Sequence, residues 1–364
     1  MTKTISAAVA LAPWETEIRE LPTPPIPEDG GLLKVEVVGV CGTDVSWYEH
    51  LQKPMILGHH VVGYVAAIGR QAARQWGLRE GDRVAMEEYL PCGRCTFCRT
   101  GRYRLCEATD SRKGGLRYGA TPLEVEPGLW GGFAQYLYLH PHAVMHRMPD
   151  AVPPVEAALT LPLSNGFEWM VIEGQVGIGK SVVIQGPGQQ GLACALAAKA
   201  AGADLVIVTG RSSSLRRLEL AKQLGADHVI NVQTENLVER VKELTGGEGA
   251  DVVLDVTSGG TEPILQALQI AAKGGTVILG AYKYEAIPAF DSDLVVAKTL
   301  TIKGVRGHGY QSVEMAVECI ASGRFPMSLL NSHNYRLADT DLALRTASGR
   351  GEPNPLLVTV SPWQ

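Results

Sequence analysis

No stretch of this chain approaches the roughly eighteen uncharged apolar residues that a helix needs to cross a bilayer, so no membrane span is expected. No acidic or basic tail is present, and the 33 Lys and Arg against 38 Asp and Glu form no clustered basic face, which leaves nothing to grip nucleic acid or an anionic membrane. Arg216 and Arg217 read as the solvated edge of a helix. Internal repeats and low-complexity segments are missing too. Residues 1–12 hold one lysine and a short apolar run that meets Trp14, Glu15 and Glu17 without a small-residue cleavage site. No secretory signal is read there, and a cytoplasmic location is expected.

What is there is an ordinary globular composition, 45% hydrophobic and 20% charged with a net charge of −5, on 364 residues. That length exceeds the usual limit of one hydrophobic core and points to two domains. The seven cysteines are an odd set, Cys41, Cys92, Cys95, Cys98, Cys106, Cys194 and Cys319, with four crowded into fifteen positions. In a reducing compartment this favours a metal over disulfides. Cys194 and Cys319 fall on helical patterns and read as core.

Two textures divide the chain. Up to about residue 152 the sequence is short alternating or β-branched runs, such as 33–40, 61–68 and 133–139, broken by Gly, Pro and charged turns. After Pro149, Pro153 and Pro154 come apolar runs of four or five residues, at 181–185, 205–208, 228–231, 252–256 and 276–279, each followed by a helical stretch. Continuous apolar strands alternating with helices are what a parallel sheet covered on both faces demands. Residues 153–295 are therefore expected to form a doubly wound, Rossmann-type α/β domain, inserted into a β-rich domain of residues 1–152 and 296–364.

Gly186-Pro187-Gly188-Gln189-Gln190-Gly191 follows the run Val182-Val183-Ile184 and opens an alanine-rich helical stretch. Between strand and helix each glycine has a purpose: a tight turn, room for a pyrophosphate against the backbone, and close packing of helix on sheet. The helix N-terminus then receives the phosphate charge. At the end of the second strand, where an NAD site places a carboxylate for the ribose hydroxyls, the chain reads Gly210-Arg211-Ser212. Arg211 and Ser212 suit a 2′-phosphate, so the reading leans to NADP over NAD, the alternative being an arginine that points into water.

Cys92, Cys95, Cys98 and Cys106 have the short spacings that let one lobe, about 90–107, wrap four thiolates around Zn²⁺. With four protein ligands such a site is closed and holds a fold together. A second group, Cys41-Gly42-Thr43-Asp44 with Gly58-His59-His60, lies outside this lobe.

The CGTD run, the Gly-His pair, the four-cysteine lobe and the Gly186 fingerprint occur in the order and spacing of the zinc-dependent medium-chain alcohol dehydrogenases, and the chain resembles that family over nearly its whole length, nearest the sorbitol and threonine dehydrogenase branch. The resemblance implies a GroES-like catalytic domain around the Rossmann domain. It implies one catalytic and one structural zinc, with Cys41 and His59 on the catalytic ion and Thr43 passing the alcohol proton outward. It also implies a small-molecule alcohol or carbonyl substrate and a homodimer or homotetramer. Thr43 alternatively caps a turn. Asp44 either orients His59 or makes a structural hydrogen bond.

Three positions depart from the family pattern. His60 stands where relatives carry Glu, Leu161-Pro162-Leu163-Ser164-Asn165 offers no strong third zinc ligand, and Ser46 replaces a proton-relay histidine for which nearby His50 is a candidate. The third place on the catalytic ion falls to His60, to a water or to another group. Neighbours in an extended strand point apart, so joint ligation by His59 and His60 requires an irregular backbone. His308 and Arg306 lie on a loop that in relatives runs near the nicotinamide. Trp47, Tyr48 and Trp130 are either pocket walls or packing. The leading expectation is reversible oxidation of a secondary alcohol or polyol-like substrate with NAD(P). The alternatives are a zinc-independent NADPH reductase of activated double bonds and a non-catalytic NAD(P)-binding protein with structural zinc alone.

Overall fold

The computed structural model describes residues 4–364, which divide into two compact units. The first runs to Leu161 and resumes at Met327–Gln364; the second is the uninterrupted stretch Pro162–Pro326.

The first unit is built on strands rich in Val and Leu that pair antiparallel, except Asn331–Arg336, which runs parallel to Leu357–Ser361. Its larger sheet runs in the order Asn331–Arg336, Leu357–Ser361, Gly31–Gly39, His60–Ile68, Arg83–Met86 and Met145–Arg147, and Tyr136–Leu139 pairs with Gly31–Gly39. A smaller sheet places Thr4–Ala12 between Glu15–Pro22 and Met55–Ile56. Gly31–Gly39 and His60–Ile68 are buried or half-buried at every residue but Lys34, because both sheet faces are covered. Val35, Val38, Leu137 and Val360 meet in one core, each fully buried aliphatic side chain contributing roughly 1.5–3 kcal/mol.

In the second unit the six parallel strands lie in the order His228–Asn231, Leu205–Gly210, Ser181–Gln185, Ala250–Asp255, Ala271–Leu279 and Thr301–Gly304. The order reverses beside Ser181–Gln185, and the Gly186 turn leaves that strand at its C-terminal end, where α/β sheets bind ligands. Val183, Ile207, Val253 and Val277 fill its core.

The boundaries expected from sequence need correction. Residues 296–326 belong to the second unit and not to the β-rich one, because Thr301–Gly304 extends the parallel sheet beside Ala271–Leu279 and the helix Tyr310–Ala321 follows it. A four-residue strand of sequence Thr-Ile-Lys-Gly carries no mark of which sheet it joins. Residues 153–161, too, stay with the first unit. Among the described residues no helix is long and apolar enough to cross a membrane.

Candidate functional site

In the first unit Cys41 precedes the short helix Gly42–Glu49, and His59 and His60 lead into the strand His60–Ile68. Gly58 bends the chain before them with φ +88°, a left-handed conformation that favours glycine, and a Cβ there would press 2.9 Å from the Phe133 ring. This is the irregular backbone that joint presentation requires. The two rings converge, with centroids 4.5 Å apart and an interplanar angle of 77°.

One potential ligand atom from each of Cys41, His59 and His60 lies within 4.8 Å of the others. Asp44, fully buried, sets this geometry. Its Oδ2 accepts from the Cys41 amide at 2.9 Å, and its Oδ1 accepts from the Gly58 amide at 3.0 Å and lies 2.9 Å from Nδ1 of His59. Nε2 of His59 is thereby left for the cluster. Removal from water pushes the Cys41 thiol up, but His60 and His59 more than reverse this and hold it well below its usual range. Burial likewise works against a charged His59, and Asp44 overrides it, raising the imidazole well above its usual value.

This donor set fits zinc: a thiolate-prone sulfur, an imidazole fixed through its other nitrogen by a carboxylate, and His60, 5% exposed, whose Nδ1 is buried without a hydrogen-bond partner. Thr43 is partly exposed in the first turn of the helix. Ser164 is fully buried, and Asn165 spends its amide within the second unit, donating to Gln190 at 3.2 Å with its oxygen 3.0 Å from Nδ1 of His308.

The four-cysteine lobe also fits. Sγ of Cys95 and Cys98 lie 3.4 Å apart and those of Cys92 and Cys98 4.0 Å, bracketing the roughly 3.8 Å edge of a tetrahedral zinc–thiolate site. All four sulfurs lie within 4.8 Å of one another. Amides of Arg94 and Cys95 pull Cys92 down to about 6, while burial and Cys95 push Cys98 up to about 12.

In the second unit a cleft of about 580 Å³ is lined by Gly186, Gly188, Gly210, Arg211 and Arg217 among others. A Cβ on Gly191 would lie 1.9 Å from the Gly186 carbonyl oxygen, so only glycine lets this helix pack on the turn, whereas nothing lies within 4 Å of one on Gly188, which leaves space above the helix N-terminus. Gly210 has no room for a carboxylate, since its Cβ would meet the Pro187 ring at 2.8 Å.

Several expected residues have partners or surroundings of their own within the chain. The Ser212 amide donates to Gln233 at 2.9 Å and its hydroxyl meets Asn231, while Ser213 and Ser214 line the cleft. The Gln190 side chain holds the Pro162 carbonyl at 3.1 Å, and Gln189 is partly exposed at the start of the helix. Arg217, read as a solvated edge, is half-buried in the cleft wall. Tyr48 is buried, bonded to Asp341 at 2.6 Å, and Trp130 is packed against Tyr138; only Trp47 of the three aromatics reaches the cluster, 5.6 Å from the His59 ring. His50 is exposed and bonded to the Ser46 carbonyl, and His308 is buried.

A unit with a doubly wound sheet and a glycine-rich turn at its switch point, and a β-rich unit with two metal-competent donor clusters, together define a zinc-binding, dinucleotide-dependent oxidoreductase. Residues 28–150 match the alcohol dehydrogenase GroES-like domain and residues 191–322 the zinc-binding dehydrogenase family. The chain belongs to the zinc-type medium-chain dehydrogenase family. It is 37% identical over 359 residues to a probable alcohol dehydrogenase of Mycobacterium tuberculosis (strain ATCC 25618 / H37Rv), covering 96% of each chain. It is 33% identical to sorbitol dehydrogenase of Bacillus subtilis (strain 168), covering 95% of this chain and 96% of that one. A crystal structure of a zinc-binding dehydrogenase of Sinorhizobium meliloti 1021 bound to NADP superposes with a TM-score of 0.85 at 25% identity, over 99% of this chain and 100% of that one.

Proposed function

We propose that the protein is a zinc-dependent alcohol dehydrogenase that moves hydride between a secondary alcohol or polyol-like substrate, or its ketone, and NADP. The observation that carries this reading is the convergence of Cys41, His59 and His60 around a common point, tied together by Asp44. In this reading they hold one zinc, and Cys92, Cys95, Cys98 and Cys106 hold a second. Zinc held there would supply Lewis acidity toward an alcohol or carbonyl oxygen, and a dinucleotide held at the Gly186 turn would supply the hydride acceptor or donor.

The chain's own residues provide orientation and proton handling. Asp44 accepts the Nδ1 proton of His59 and fixes the ring, so that Nε2 is the atom presented to a metal. Two imidazoles and one thiolate offer the ion a single formal negative charge, which preserves more of its electrophilicity than a two-thiolate set. Thr43, partly exposed two residues after Cys41, carries the alcohol proton outward through its hydroxyl. The Gly186 turn with Gly188 and Gly191 seats the pyrophosphate, and Arg211 with Arg217 receives the 2′-phosphate where Gly210 excludes the carboxylate of an NAD site.

The test is a panel of secondary alcohols, polyols and ketones assayed by NADPH absorbance with both cofactors, alongside metal analysis. Two zinc per chain and NADP-dependent turnover are expected. One zinc per chain and no turnover on any alcohol or ketone sinks the reading.

A further inference from the structure

Asp44 and Tyr48 are four positions apart on the helix Gly42–Glu49, so they share one face of it, and both are fully buried. Asp44 fastens the start of that helix to the Cys41 and Gly58 amides. Tyr48 fastens its end. The phenol donates to Asp341 Oδ1 at 2.6 Å and accepts from the Thr16 hydroxyl at 2.7 Å. Burial, followed by Asp341, pushes its pKa above the usual range, so the phenol stays a donor. Asp341 is itself held, because it stands in the first turn of the helix Thr340–Ala347, where Arg345 Nε donates to its Oδ2 at 2.6 Å. The same guanidinium donates to the Trp14 carbonyl at 2.6 Å, and the Trp14 ring meets that of Tyr48 edge-on with centroids 5.2 Å apart. The segment Met327–Gln364 and the hairpin of Thr4–Ala12 and Glu15–Pro22 thus build a socket for one side chain of the helix.

Eight residues make a helix roughly 12 Å long, too short to be stable alone, so its direction is set by what grips its two ends. A phenylalanine at 48 facing an apolar residue at 341 would bury as well, because replacing both hydrogen-bond partners is nearly neutral for stability. What the pair adds is direction, since a hydrogen bond specifies one orientation. The neighbouring face of the helix carries Thr43 and Trp47, also four apart and partly exposed, and Trp47 lies 5.6 Å from the His59 ring. A tilt or roll of the helix carries Thr43 with it and pulls on the Asp44 carboxylate that orients His59. Displacing a reacting group by about 1 Å costs up to about 100-fold in rate. We infer that Tyr48 and Asp341 are positioning residues for the cluster of Cys41, His59 and His60, their hydrogen bond fixing the helix that presents Asp44 and Thr43. The inference rests on the reading of that cluster as the metal site of the reaction, and it deepens that reading.

The main variant is Tyr48→Phe, which removes the hydroxyl and leaves Asp341 paired with Arg345. Asp341→Asn keeps an acceptor for the phenol and is the conservative partner. Tyr335→Phe is the control for stability, since it removes another buried tyrosine hydroxyl bonded to the helix Thr340–Ala347, 2.9 Å from Oγ1 of Thr346. The probe is Co²⁺ in place of zinc, whose visible absorption responds to the geometry of its donors, and the Cys41→Ser protein supplies the background from the four-cysteine lobe. In Tyr48→Phe the cobalt bands of the Cys41 site are expected to shift. On the best alcohol of the panel kcat falls about 10- to 100-fold, while KM for NADP is unchanged because the Gly186 turn lies in the other unit. Asp341→Asn regains most of the loss. Tyr335→Phe lowers the melting temperature by about 2–4 °C, as Tyr48→Phe does, yet keeps the wild-type bands and kcat. Wild-type bands and kcat in Tyr48→Phe, or equal losses in Tyr335→Phe, overturn the inference and leave the metal site standing. A wild type with no cobalt absorption beyond the Cys41→Ser background overturns both.

Discussion

Oδ1 of Asp44 stands 2.9 Å from Nδ1 of His59 and also accepts the Gly58 amide, while Oδ2 of the same carboxylate accepts the Cys41 amide. One fully buried side chain thus fixes the two segments that carry the donor cluster, fifteen positions apart along the chain. Burial opposes its charge, but His59, His60 and the Cys41 amide outweigh that and keep the carboxyl below its usual range. The helix Gly42–Glu49 delivers Asp44 because it sits at the third position, where a side chain reaches back to the residue before the helix.

Asp44→Asn removes the charge and turns one hydrogen-bond acceptor into a donor facing another donor. Affinity for the metal at this site is expected to fall about 10- to 100-fold, in line with the loss of a carboxylate behind a ligating histidine. A chelator competition on the purified variant checks this. Unaltered retention of both zinc ions would mean that Asp44 serves the fold alone.

Cys41→Ser exchanges the only sulfur in this cluster for a hydroxyl that is not ionised at neutral pH. Turnover is expected to vanish, the zinc content to drop from two per chain to one, and NADP binding to persist, since the Gly186 turn lies in the other unit. Metal analysis and cofactor titration on the same preparation separate these effects. Alcohol oxidation at the wild-type rate rejects the assigned role.

The parts of this molecule legible in the sequence are those whose residues are close along it. The strands Ser181–Gln185 and His228–Asn231 show as apolar runs, and the Gly186 turn and the four-cysteine lobe are each contained in a few consecutive positions. Gly58 before a histidine pair carries no visible mark of a positive φ, so the convergence of His59 and His60 is not legible in the sequence. Arg117 and Glu88 are 29 positions apart and meet only because the chain loops through the cysteine lobe between them. The one hint was a pair of adjacent acids, Glu87 and Glu88, in an otherwise apolar stretch, and both prove buried. The sequence places Thr301–Gly304 in the β-rich domain and the structure in the other for the same reason: strand pairing is long-range information.

Arg211→Ala tests the cofactor reading. Arg211 is exposed on the cleft wall, so its loss costs little stability. A charge-assisted contact to the 2′-phosphate predicts an NADP affinity lower by about 10- to 100-fold, with NAD affinity nearly unchanged. Fluorescence titration with each cofactor measures the ratio. Equal weakening for both removes Arg211 from phosphate recognition and leaves Arg217, half-buried in the same cleft, as the residue to vary next.

Acid should loosen the first unit through His140. Burial, with the nearby charge of His142, holds this imidazole down at about 4 against the ordinary 6.5. Between those values the unfolded chain takes up a proton that the folded chain refuses. The contribution to stability is therefore intact above pH 6.5 and is lost as the pH falls toward 4. His140→Phe keeps an aromatic ring against Trp130, whose centroid lies 5.8 Å away, and removes the titration. Melting temperatures taken across pH 4.5 to 7 are expected to decline less steeply for His140→Phe than for the wild type, the two converging or crossing at the acid end. Parallel curves would place the acid sensitivity in other groups and show that His140 takes up its proton equally in the folded and unfolded chains.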